Sequence, residues 1–500
     1  MIYERMKEVH SDAVHRTGDV EQEEASMGNE QVVQQVLLQF SGADDKLHPH
    51  NWHIARRVWT TLILALFNLV VTISSSIFAS AEDKVATDFA VGQEVTVLGT
   101  SLFLVGYVVG PLLFGPLSEK FGRKWPLIVG VCLSSVFGLM TALGQNLATV
   151  LIGRFFAGLF GVAPIAVLGG IITDCWNAVY RGVALAFCIC LVFAGPTFGP
   201  IVGGFIVENT SWRWTMWVVV IAGLALGFVA VFTYPESYPP KVLQIRARSI
   251  RRKMDNPTIV SQLDLEGLSL EKVFQLYLVR PWVLFFTEPI LVSLTFYQAF
   301  IYGLMYICYQ SYPIAFMEVR GWSQGFASLA LIGIIVGVVM GTATVVIYNQ
   351  LYFKRKVQAN DGKFEPEARL PLMIFGGCLV PTGLFWYAWT SDPSIPWPSE
   401  VCAGILVGWG MYTIFIQCFS YIIDCYTDMA NSAMAANGAV RSVFGAVFPL
   451  FANYMYHNLG VDWASSLVGF LALVMVPVPI IFYYYGARIR ARSKKARFRS

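Results

Sequence analysis

Three charged side chains lie inside long apolar runs: Arg154 in LATVLIGRFFAGLFG, Glu288 in RPWVLFFTEPILVSL and Arg441 in NGAVRSVFGAVFPLF. Hydrocarbon penalises a central Arg by about 2.5–3.5 kcal/mol even on the mild insertion scale. A charge kept there is expected to face a cavity or a partner. Arg154 stands four or five residues into its run, so an interfacial Arg reaching headgroups is the alternative. Glu288 stands six residues in, about 9 Å along a helix at 1.5 Å per residue, and Pro289 after it frees a backbone carbonyl. Such a carboxylate can carry a proton, bind a cationic substrate, or pair with a basic side chain. Arg441 follows the argument for Arg154.

Two further stretches carry physical meaning. In GPLSEKFGRKWPL (115–127), Gly115 permits close helix approach, Gly122 interrupts the charges, and Glu119, Lys120, Arg123 and Lys124 crowd a short turn. Such a cluster can form ion pairs between helix ends that hold one conformation and break in another; a solvated basic loop is the bland alternative. In GPTFGPIVGG (195–204), Gly195, Gly199 and Gly203 recur every four residues, with Pro196, Pro200 and Gly204 between and after them. Water would penalise a helix so built. In a bilayer the glycines form a smooth stripe for backbone-to-backbone packing, and neighbours satisfy what Pro frees. Gly333, Gly337 and Gly341 have the same spacing and are the expected partner stripe. Asn68, Tyr297, Gln298, Tyr302, Tyr306, Tyr412, Gln417 and Asn437 are polar or aromatic residues within apolar runs. They would line a weakly polar cavity suited to amphipathic molecules, or serve as packing.

These residues need spanning elements to hold them. The chain has 500 residues, 56% hydrophobic and 13% charged, far more apolar than a soluble domain. Apolar runs predict twelve membrane helices, at about 57–81, 95–117, 125–144, 150–173, 182–207, 213–234, 282–308, 325–348, 371–390, 400–421, 432–456 and 464–486. They divide the chain into a polar tail (1–50) read as disordered, a six-helix bundle (51–234), a central polar loop (235–281), a second bundle (282–486) and a basic tail (487–500). Lys and Arg concentrate in the loops on one side, and only Lys84, Arg213 and Arg320 fall on the other. The asymmetry predicts both termini in the cytosol. Residues 1–50 show no basic segment followed by an apolar one, so no cleavable signal is expected. The nine cysteines form no CxxC pair and read as packing residues. No metal set, cofactor motif or P-loop is present, and no HExxH or GxSxG. An enzyme is not expected. The basic tail beside the last span reads as a lipid-facing anchor rather than a nucleic-acid site.

GPLSEKFGRK resembles the signature loop of the major facilitator superfamily, with Glu119 where many members carry Asp. LIGRFFAGLFG resembles that superfamily's second motif, and 195–204 the antiporter motif of its drug:proton antiporters. SWRWTMW (211–217), YPESYPPKVL (234–243), RPWVLFFTEPI (280–290), PEARLPLMIFGG (366–377), GLFWYAW (383–389) and NGAVRSVFGAVFPLF (437–451) extend the likeness over about 52–490. The whole is similar to the fungal twelve-span drug:proton antiporters, a group including exporters of azoles, polyamines and secondary-metabolite toxins. The resemblance implies an all-α integral membrane fold of two pseudo-symmetric six-helix bundles. It implies proton-coupled export of amphipathic organic molecules by alternating access at the plasma membrane, by a monomer in a lipid bilayer. On this reading Arg154, Glu288 and Arg441 serve proton coupling, Arg123 and Asp174 form a cytosolic latch, and the glycine–proline run limits leak. A polyamine exporter, a membrane enzyme and a ligand sensor without transport are the rivals. Few embedded acids weigh against the first, and the six histidines form no catalytic cluster within the spans.

Overall fold

The structure, a computed structural model, describes residues 36–42, 45–255, 257–265, 275–353, 355, 366–426 and 429–493. Expectations for the rest of both tails and for part of the central loop lie outside these residues. Among them, eleven helical segments are long and apolar enough to cross a membrane. The last, Ala430–Ala491, has 62 residues, about 93 Å if straight, against a hydrocarbon core of about 30 Å. It reverses at Gly460, whose φ of 77° and ψ of 163° leave the helical region and suit a residue without a Cβ. Tyr456 Oη lies 3.1 Å from Ser465 Oγ, a contact only a hairpin can make. The segment therefore contributes two crossings, and the chain makes the twelve expected.

The two halves repeat each other. In the first half, glycines of the second span seat on the fourth: a Cβ on Gly106 would lie 2.5 Å from the Phe155 carbonyl oxygen. Six spans later, a Cβ on Gly333 or Gly337 of the eighth would meet the Val401 or Ile405 carbonyl of the tenth at 2.2 or 2.1 Å. Between the halves, the second span packs on the eleventh and the fifth on the eighth. These contacts are equivalent when the halves are exchanged.

The glycine–proline run has a different partner from the one expected. A Cβ on Gly195, Gly199 or Gly203 would lie 1.9, 2.1 or 2.9 Å from Thr72 Oγ1, Ser76 Oγ or Ser80 Oγ of the first span. Only Gly204 faces the eighth span, at Ser328 and Gln324. The stripe closes the inside of the first half, while Gly333, Gly337 and Gly341 close the second. The fifth span runs unbroken through Pro196 and Pro200, and the Pro200 carbonyl accepts from Ser80 Oγ at 3.1 Å. Gly199→Ala is expected to destabilise the protein by about 1–3 kcal/mol through overpacking, because Ile77 N also lies 2.8 Å from the added methyl. Gly169→Ala, with nothing within 4 Å, should be neutral. Thermal unfolding of both variants in detergent checks this.

Three further departures matter. The first span extends to Phe89 through a tight turn at Ile77–Ala81, eight residues past its expected end. The seventh span starts only at Pro289, after a break at Glu288. Residues 280–287 form a separate short helix whose Phe286 is 77% exposed. Residues 36–42 and 45–50, expected within a disordered tail, are ordered: Val36–Leu37 pairs in parallel with Ile259–Val260 of the central loop. Arg246 reaches Asp45 at 3.4 Å. Burial works against the Asp45 carboxylate, but the Leu47 and Ser41 N–H groups and Arg246 together hold it below its usual range.

Candidate functional site

The fourth span begins at Asn146, whose side chain accepts from Thr149 N at 2.8 Å, a standard N-cap. Its small residues draw neighbouring backbones in: a Cβ on Gly158 would lie 2.0 Å from the Phe103 carbonyl oxygen. That closeness sets Arg154, 1% exposed. Its guanidinium donates to the carbonyls of Gly99 (2.9 Å), Ser74 (2.7 Å) and Ser75 (3.1 Å) and lies over Phe103 and Phe78. Arg154 is thus a buried clamp on the first two spans and does not reach headgroups.

The carboxylate within electrostatic reach of Arg154 is Glu82, which is 6% exposed and accepts from Thr100 Oγ1 at 2.7 Å. The apolar run of the first span ends at Ala81, and hydropathy alone puts Glu82 in a loop. No Gly or Pro separates Ser76 from Glu82, and that absence of a breaker was the missed signal. Glu82 borders a cavity of about 90 Å³ between the halves, lined also by Asp83, Gln93, Gln310, Glu318 and Gln324. It lies toward the face opposite the termini.

Arg441, on the eleventh span, is a buried arginine of the second half. Its guanidinium stacks over Tyr302 (4.9 Å) and Phe415 (5.0 Å), and its buried Nε has no hydrogen-bond partner. A line of hydroxyls joins the two arginines. Tyr302 Oη is 3.5 Å from Tyr306 Oη, which is 2.9 Å from Ser75 Oγ; the Ser75 carbonyl is one of those held by Arg154. Asn437 donates to Thr295 Oγ1 at 3.2 Å and Gln298 to the Phe415 carbonyl at 3.4 Å. Gln417 is buried on the tenth span. Tyr412 donates to the Ala186 carbonyl across the halves at 2.8 Å. Asn68 donates to its own helix at Leu64, 2.8 Å away. Tyr297 departs from the expected set: its hydroxyl points at Gly377 of the ninth span, 3.1 Å from where a Cβ would sit, away from Tyr302 and Tyr306.

Glu288 also departs from expectation. Because the helix restarts at Pro289, its carboxylate sits at the terminal face, accepting from Tyr426 Oη at 3.2 Å and from Ser493 Oγ. It is not at depth in a continuous span. Pro289 occupies the first turn of the new helix, where its missing N–H goes unnoticed.

At the terminal face, Arg123 Nε lies 3.2 Å from Asp174 Oδ2 and Nη1 2.8 Å from Ser118 Oγ; Ser118 in turn donates to the Gly115 carbonyl. Glu236, in the YPESYPP segment, was missed as a third member. It accepts from the backbone N–H of Arg123 (2.8 Å) and Lys124 (3.2 Å). Gly122 makes this possible: its φ is +89°, and a Cβ would fall 2.3 Å from Glu236 Oε2. Glu119 accepts from Asn431 of the other half at 3.4 Å. The second half repeats the pair, with Arg369 opening the ninth span and bonded to Asp424 closing the tenth. On the opposite face, Gln324 donates to the Ser80 carbonyl at 2.7 Å and Asn453 to Gln93 at 3.1 Å. The halves are therefore bridged toward both faces.

A sequence profile described as Major Facilitator Superfamily matches residues 64–449. The chain is 47% identical over 480 residues to the MFS-type transporter oryN of Aspergillus oryzae, covering 96% of this chain and 94% of that one. It is 44% identical to the citrinin biosynthesis cluster MFS transporter mrr1 of Monascus ruber, covering 92% of each. To the multidrug transporter mdrA of Aspergillus fumigatus it is 42% identical, over 91% of this chain and 75% of that one. The solved proton:xylose symporter XylE shares the fold at a TM-score of 0.64 and 15% identity, covering 87% of this chain and 96% of that one. With its twelve crossings in two repeated halves, the chain belongs to the major facilitator superfamily and is a membrane transporter, not an enzyme.

Proposed function

We propose that this transporter exports amphipathic organic molecules from the cytosol in exchange for protons, with both termini cytosolic and the plasma membrane as its site. The observation that carries the reading is the buried line from Glu82 and Arg154, through Ser75, Tyr306 and Tyr302, to Arg441. It ties a carboxylate open to one face to an aromatic centre between the halves. A proton on Glu82 cancels its pull on Arg154, and Arg154 holds the carbonyls of Ser74 and Ser75, the second being the residue whose hydroxyl meets Tyr306 of the other half. Its arrival would therefore bias which face opens. The Arg123–Asp174–Glu236 cluster and Glu119–Asn431 would hold the cytosolic face shut, and the fifth-span seam on the first span would block leak during the swing. Secondary-metabolite and multidrug transporters among the relatives support amphipathic cargo.

The test is uptake of aromatic probes into inside-out vesicles bearing the full chain, with and without an interior-acid gradient. Gradient-stimulated uptake is expected; rates indifferent to the gradient would remove proton coupling.

A further inference from the structure

Arg154 and Arg441 are both buried arginines, one in each half, yet their surroundings differ in kind. Arg154 directs its guanidinium at three backbone carbonyls and has Glu82 nearby. Each of its three guanidinium nitrogens therefore already has a partner within the protein. Arg441 is 7% exposed and hydrogen-bonds to none of the described residues. The ionisable groups around it are Tyr302, Tyr306 and Tyr107, with no carboxylate among them. A buried cation without a counter-charge is strongly disfavoured, so the site favours a ligand that brings one. Stacking between Tyr302 and Phe415 leaves the edge of the guanidinium for hydrogen bonds while its faces are covered. Nearby elements carry buried amide oxygens that also lack donors: Asn437 Oδ1, one turn earlier on the same span, and Gln298 Oε1, one turn before Tyr302, with Gln417 Oε1 further along the tenth span. The centre thus offers one positive charge, aromatic walls and several free acceptors.

We infer that the transported molecule is an aromatic organic anion, a carboxylic acid that also bears hydroxyl or amide donors, with its charge taken by Arg441. This rests on the transport reading above and narrows it. A polyamine would meet two arginines and no acid until Glu82, which lies beyond Arg154. The anion brings the counter-ion that the second half lacks, its ring joins the tyrosines, and its hydroxyls meet the unpaired amide oxygens.

The test uses the purified full chain and three probes: a hydroxynaphthoate, its methyl ester and naphthylmethylammonium. Binding is read by tryptophan quenching. The naphthoate is expected to bind at least about ten-fold more tightly than the ester, and the ammonium weakest. Arg441→Gln should weaken naphthoate binding about thirty-fold and ester binding less than about three-fold, and Arg441→Lys should recover part of the loss. Equal affinity for acid and ester, no naphthoate binding, or an Arg441→Gln variant that binds the acid unchanged would overturn the inference. Should Arg441→Gln fail to fold, the wild-type preference between acid and ester decides alone. Vesicle uptake separates the two readings. Arg441-dependent naphthoate binding without gradient-driven uptake keeps the anion and removes antiport, whereas gradient-driven uptake of the ester or ammonium alone does the reverse.

Discussion

Glu82→Gln is expected to abolish the stimulation of uptake by a pH gradient while leaving probe binding and gradient-free exchange intact. Gln keeps the volume of Glu, and its amide oxygen can still accept from Thr100 Oγ1. What it loses is the switch between charged and neutral. Two unit charges 4 Å apart interact by about 4 kcal/mol at an effective dielectric constant of 20, nearly three orders of magnitude in a conformational ratio. Even a fraction of that, exerted on Arg154, would decide which face is open. The rival carboxylate is Glu288, whose partners Tyr426 and Ser493 place it at the face bearing the termini. Glu288→Gln should alter the conformational balance there and retain coupling. If Glu288→Gln lost the gradient response and Glu82→Gln kept it, the assignment of the proton to the first span would be wrong.

What could be read from the sequence is what the bilayer enforces. Lipid demands helices of a fixed length, so run lengths report the spans and their two groups. The same penalty makes Arg154 and Arg441 conspicuous before any coordinates exist. Adjacency is another matter. A glycine stripe at 195, 199 and 203 fits any smooth surface, and Gly333, Gly337 and Gly341 looked the best complement. The better clue was Thr72, Ser76 and Ser80, small residues at the same spacing in the first span, which is where the stripe seats. Local breaks were misjudged in both directions. A tight turn carried the first span past Ala81 and brought Glu82 inside, while Pro289 began a helix that had been read as continuous. Both changes lie within one turn, yet each moves a carboxylate between bilayer depth and surface. Glu236 escaped notice because its partners are backbone N–H groups 113 and 112 residues away, and backbone donors leave no trace in residue type.

The membrane potential offers the most severe test of the whole scheme, because it counts charge without reference to any residue. An exporter that trades one or more protons inward for an organic anion outward moves at least two positive charges into the cell per cycle. Each is worth about 2.3 kcal/mol per 100 mV, so a potential of that size adds about 4.6 kcal/mol, over three orders of magnitude in the limiting accumulation ratio. A neutral ester traded for one proton moves one charge, and an ammonium traded for one proton moves none. Inside-out vesicles clamped with potassium and valinomycin, at equal pH on both sides, should therefore accumulate the hydroxynaphthoate steeply as the interior is made positive, the ester less so and the ammonium not at all. The slope should persist in Arg441→Lys at a lower rate, because the charge moved is set by cargo and protons and not by the identity of the binding cation. A flat response for the naphthoate would mean that the anion travels with a compensating cation or does not travel, and a slope for the ammonium as steep as for the acid would mean that the charge moved per cycle does not follow the charge of the cargo.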